Sequence, residues 1–203
     1  MTVWQNQPII RVRKGRYLFT FFINISAGVG GKCSMEGKRL TSYAMEELEC
    51  PKCGHKHSLK KYKVINVTEK AKLKEEIMKN RLYQFSCEEC EYMAPLTYDS
   101  LYVDSQRNIM IYMAPVMNAE IKAEIAELEQ EKGIDKRLVD NINDLKEKIM
   151  IADNHLDDRV IEIIKIMYLD QIKKEMEDDT LLNILFDYNR DNYCFLVFFQ
   201  KKG

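Results

Sequence analysis

With 203 residues the chain has room for one large domain or two small ones, and 46% apolar with 31% charged residues is globular rather than disordered composition. Net charge is −1 but uneven: residues 1–44 carry seven Lys/Arg against one acid, 45–115 eleven of each, and 116–203 thirteen against twenty. No segment after residue 44 has the basic excess of a nucleic-acid-binding domain.

The first elements are the least ordinary. Arg11, Arg13, Lys14 and Arg16 precede the apolar run YLFTFFINI at 17–25, a weak likeness to a secretion signal. The run is short, contains Asn24, and is followed by Val-Gly-Gly-Lys before Cys33, which suits neither a lipid anchor nor a bilayer span. The favoured expectation is a start placed too early, with Met35 or Met45 as the true one; a disordered tail and a targeting signal are the alternatives.

Residues 46–67 read as two extended pieces around Cys50 and Cys53, the second rich in β-branched and aromatic side chains at 61–67. Thr68 is placed to cap a helix running to about Asn80, with Leu73 and Ile77 one turn apart. Leu82–Phe85 leads as a strand into Cys87. Leu101–Val103 and Ile109–Met113 then form a hairpin across a polar loop at 104–108. Ala119–Lys132 is a charged helix closed by Gly133. The recurrence of Leu138, Ile142, Leu145 and Ile149 extends a further helix over 134–154. Asp157 caps a third helix to about Glu177, apolar around most of its circumference and so in need of cover on more than one side. Leu182–Tyr188 and Tyr193–Phe199 close the chain as a β-hairpin. The fold class is therefore α+β, divided into residues 1–44, 45–115 and 116–203.

Six cysteines are present: Cys33, Cys50, Cys53, Cys87, Cys90 and Cys194. Four of them form two C-x-x-C pairs separated by 33 residues, the pattern of metal or thiol chemistry rather than of disulfide staples. Two intervening residues let one tight turn bring both sulfurs to a single ion, and four thiolates complete a tetrahedral structural zinc site. Pro51 fixes φ entering the first turn and Gly54 tolerates a positive φ leaving it. The predicted site is one structural zinc on Cys50, Cys53, Cys87 and Cys90. A redox dithiol using Cys50 and a catalytic zinc rank below it.

His55 and His57 stand beside the first pair and are read first as exposed or as neighbours of the site, and second as replacements for a cysteine ligand. His155 is assigned to the surface, Cys33 to the doubtful N-terminal tail and Cys194 to a buried strand. The knuckles differ in sign, with Lys52, Lys56, Lys60, Lys61 and Lys63 around the first and Glu88, Glu89 and Glu91 around the second. That lysine cluster, with Tyr62, is read first as a solvated, charge-compensating face and only second as a nucleic-acid contact. Asp157-Asp158 is helix N-terminal charge rather than an acid–base pair. No phosphate loop, nucleophile elbow or His-Glu-x-x-His is present, so no enzyme activity is expected.

The stretch from Cys50-Pro51-Lys52-Cys53 through Ile65-Asn66-Val67-Thr68 to Cys87 and Cys90 resembles the bacterial CpXC proteins. The runs at 143–149 and 156–162 are similar to that family's helical portion, so the resemblance spans about 45–200. It implies a zinc-ribbon-like domain followed by a helical domain, in a cytoplasmic protein of mostly Gram-positive bacteria with no assigned activity. One departure is Cys-Glu-Glu-Cys in place of a second Cys-Pro-x-Cys, which removes a stiffening proline and no ligand. The expected role is a non-enzymatic interaction module. A protein partner or a second copy would be met through the helical domain and terminal hairpin, with no membrane association.

Overall fold

The computed structural model describes residues 9–13, 16–20, 39–175, 180–189 and 192–200. The chain is α+β and divides into two compact units, one of Gly30–Lys146 and one of Met1–Val29 with Glu147–Gly203. These divisions differ from the expected 44/45 and 115/116.

In the unit Gly30–Lys146, strands β3 (Ser42–Glu49) and β4 (Lys56–Asn66) form an antiparallel ribbon whose end is the first cysteine knuckle. The last residues of β4, Val64–Asn66, turn to parallel pairing with β7 (Ser100–Asp104), which is antiparallel to β8 (Ile109–Met113). Helix α1 (Lys72–Met78) follows β4 and buries Leu73 and Ile77. It starts at Lys72 without a side-chain cap; the Thr68 hydroxyl instead accepts from the Ser105 N–H. The crossover is tied down by Asn66, whose Oδ1 accepts from the N–H groups of Thr68 and Glu69 and whose Nδ2 donates to the Arg39 carbonyl. A short hairpin of β5 (Gln84–Ser86) and β6 (Met93–Pro95) carries the second knuckle.

Helix α2 (Ala119–Glu129) is capped by Asn118, whose side chain accepts from the Ile121 N–H. It lays Ile121 and Leu128 on Leu101, Val103, Met110 and Tyr112 of the sheet. Residues 134–139 correct the helical expectation. Asp135–Val139 is strand β9, parallel to β8. Leu138, counted as the start of a helical stripe, is 52% exposed while Val139 is buried. The helix begins only after Asn141, whose Oδ1 accepts from the N–H groups of Asn143 and Asp144; α3 is Ile142–Asp153. Gly133 has φ +78 but lies three residues past the α2 C-cap, turning the chain into β9.

In the other unit, β10 (Thr180–Asn189) and β11 (Asn192–Gln200) pair as the expected hairpin. Within the stretch expected as a mis-called start or disordered tail, β1 (Ile9–Arg13) and β2 (Arg16–Thr20) are strands, giving a sheet in the order β1-β2-β11-β10. Cys33 lies outside the described residues. Helix α4 (Asp158–Glu175) packs Ile161 and Ile172 against Ile184, Phe186, Phe195 and Val197. Asp157 caps it, accepting from the Arg159 N–H. Beside it lies a network of charge that is shielded at Glu147, Lys148, Asp158 and Lys165 and open to solvent at Glu162. Lys165 meets Glu147 at 2.6 Å and Glu162 at 3.0 Å, and Lys148 meets Asp158 at 2.6 Å and Glu162 at 2.5 Å. Glu147 also accepts from the Phe186 N–H. Among the described residues no helix is long and apolar enough to cross a membrane.

Candidate metal centre

The two knuckles share one backbone pattern. In the first, the Gly54 N–H donates to the Cys50 carbonyl (2.8 Å) and the Cys50 N–H to the His55 carbonyl (2.8 Å). In the second, Glu91 N–H donates to Cys87 O (3.0 Å) and Cys87 N–H to Tyr92 O (2.8 Å). The fifth residue is left-handed in both, Gly54 at φ +74 and Glu91 at φ +58. The missing second proline therefore changes no hydrogen bond of the turn. Glu91 carries the strain that Gly54 avoids.

All four predicted cysteines come together: the Sγ atoms of Cys50, Cys53, Cys87 and Cys90 lie within 4.8 Å of one another. Cys50 is 3.7 Å from Cys90, and Cys53 is 3.6 Å from Cys87. A tetrahedron with ~2.3 Å metal–sulfur bonds has edges of ~3.8 Å, so the thiol set fits one ion. Cys50 and Cys87 are buried beside Phe85, with Leu48, Leu59, Tyr92 and Leu96 around them, whereas Cys53 faces outward.

The protons of this cluster are unequally held. Desolvation works against the Cys50 thiolate, but the backbone N–H groups of Cys53 and Lys52 outweigh it and bring the group to about 7. At Cys53 the His55 N–H favours ionisation; desolvation and the sulfurs of Cys90, Cys87 and Cys50 overcome this and push it up to about 12. Cys90 is raised too, by desolvation first. Packed thiols resist ionising together, and a bound cation removes that resistance.

His57 is a neighbour of the site, with Nε2 3.2 Å from the Cys87 sulfur and its ring edge-on to Phe85. The β3–β4 register puts it opposite Leu48, two residues before the first ligand. His55 packs on His57 at 4.9 Å between ring centroids. Between the knuckles Lys52 Nζ donates to the Cys90 carbonyl at 3.3 Å, a backbone contact rather than a pair with Glu88, Glu89 or Glu91. Lys61 pairs instead with Glu46 across the ribbon at 2.6 Å.

The family described as CpXC protein matches residues 48–165, more than half of the chain and including all four cysteines. The chain belongs to the CpXC family. No curated protein and no solved structure matches it. In this CpXC protein the matched span contains both knuckles, strands β4 to β9 and the first part of α4. Cys194 lies outside that cluster. It is buried, donates to the Asp187 carbonyl at 3.4 Å, and is pushed by burial up to about 11.

Proposed function

We propose that this CpXC protein is a zinc-organised, non-enzymatic interaction module. The observation that carries the reading is the four-sulfur set, with separations of 3.6 and 3.7 Å across the two knuckles. Four thiolates saturate a tetrahedral ion and leave no position for substrate or water, the arrangement of structural rather than catalytic zinc. Ligands that must remain thiolates suit a reducing compartment such as the bacterial cytoplasm. The interaction role is supported by apolar side chains left on the surface of both units, among them Met45 on β3 and Ile166 on α4.

Elemental analysis of the natively purified protein is the test. One zinc per chain is expected, released by a thiol-specific mercurial and absent from Cys87→Ser. Tetrathiolate iron, or a Cys50–Cys53 disulfide that turns over with a dithiol, would overturn the reading.

A nucleic-acid contact is the second reading. It is favoured by Lys60 lying 4.9 Å over the Tyr43 ring on the exposed face of the ribbon, with Tyr62 5.7 Å from Tyr43. Glu46, Glu47 and Glu49 on the adjoining strand weigh against it. It requires binding to single-stranded nucleic acid that weakens steeply with salt.

A further inference from the structure

Helix α4 is apolar around most of its circumference, and its own unit covers only one side of it. Ile161 and Ile172 are buried against the sheet, whereas on the opposite arc Ile163, Ile166 and Met167 are 56%, 69% and 72% exposed. The charges bordering that arc are arranged to match a copy of themselves. Arg159 and Asp170 lie on the exposed arc on either side of the apolar group; the Arg159 guanidinium, 81% exposed, also holds Asp157 of its own chain at 2.7 Å, and Asp170 has no ion pair among the described residues. A two-fold axis midway between Ile163 and Ile166 also lies midway between Arg159 and Asp170. One antiparallel docking thus sets Ile163 against the second copy's Ile166 and Arg159 against its Asp170, each contact occurring twice. A parallel docking would set Arg159 against Arg159.

We infer that the partner of this face is a second copy of the chain, joined through antiparallel α4 helices across a two-fold axis. Isologous symmetry requires such self-complementary pairs, and antiparallel helices at about 8–10 Å also oppose their dipoles favourably. The inference rests on the interaction-module reading and names its partner.

Sedimentation equilibrium of the full-length, metal-loaded protein is the test. The parent should be dimeric at micromolar concentration, and Ile166→Glu should weaken association at least tenfold with circular dichroism and metal content unchanged. Arg159→Glu and Asp170→Arg should each weaken association alone, yet associate with one another when mixed, because the mixed pair restores both attractive contacts. Each of three results would overturn the inference: a monomeric parent, a dimer indifferent to Ile166→Glu, or no recovery on mixing. A zinc-bound monomer would remove the dimer and leave the zinc reading standing, whereas a metal-free dimer would do the reverse.

Discussion

The paired left-handed residues of the knuckles allow two substitutions of opposite sign. Gly54→Ala forces a Cβ onto a backbone at φ +74, and the added carbon would meet Glu49 Oε1 at 3.5 Å, an ordinary contact. The cost is therefore conformational, about 1–2 kcal/mol for an L-residue in this region. Loss of unfolded-chain freedom returns about 0.4–1 kcal/mol. The net expectation is a destabilisation of roughly 1 kcal/mol. Glu91→Gly at φ +58 runs the same account backwards and should be neutral to about 1 kcal/mol stabilising. Since metal binding and folding of a knuckle share one free energy, the shift should appear as a several-fold change in metal retention. The assay is the urea concentration at which a chromophoric indicator captures the metal, measured for parent and both variants. Gly54→Ala holding its metal as well as the parent, or Glu91→Gly losing it earlier, would refute the shared turn geometry.

His57→Phe should keep all four ligands and the ring packing on Phe85 but weaken metal affinity by about tenfold, read by chelator competition, because the ring nitrogen 3.2 Å from the Cys87 sulfur is lost. Lys165→Met should destabilise its unit by about 3–5 kcal/mol in thermal or urea unfolding, since the buried Glu147 would keep the Phe186 N–H but, of its two cations, only Lys148 at the longer 3.8 Å. Burial holds the Glu147 carboxyl above the usual carboxylate range, with Lys165 and the Phe186 N–H pulling it only partly back. The folded form therefore binds this proton more tightly than the unfolded one, and Glu147 favours folding increasingly as pH falls through its raised value. Glu147→Gln should then lose ground to the parent as pH drops from neutral towards the ordinary carboxylate range; a variant that gains on the parent instead would contradict the burial. Asn141→Ala should cost about 1 kcal/mol in thermal unfolding by removing the side-chain cap of α3.

The metal centre was legible because its determinants are local. Each C-x-x-C turn is built by six consecutive residues, and the chain between the turns does not need to be known to place four thiols on one ion. The hairpins β7–β8 and β10–β11 were legible for the same reason. What escaped depends on distant pairing. The segment Asp135–Val139 continues a helical period by accident and is a strand because β8 offers it an edge. Strands β1 and β2 fall in the stretch expected to precede the true start, because β2 finds its second partner, β11, only at the far end of the chain. The contact between His57 and Cys87 follows from the β3–β4 register and the arrival of the second knuckle, neither of which spacing alone supplies. Its one sequence signal was a histidine two residues from the end of a short knuckle.

Strand β4 belongs to two neighbourhoods. Its last three residues pair with β7, where Ile65 is buried among the sheet's side chains, while its earlier residues pair only with the exposed β3 and lead to the thiols. At about 3.3 Å per residue the strand reaches roughly 35 Å from end to end. Withdrawing the ion should therefore fray the strand from one end and spare the other. Amide protons would exchange fast near Lys56 and slowly at Ile65, so this single strand would record metal occupancy along its length like a graduated scale.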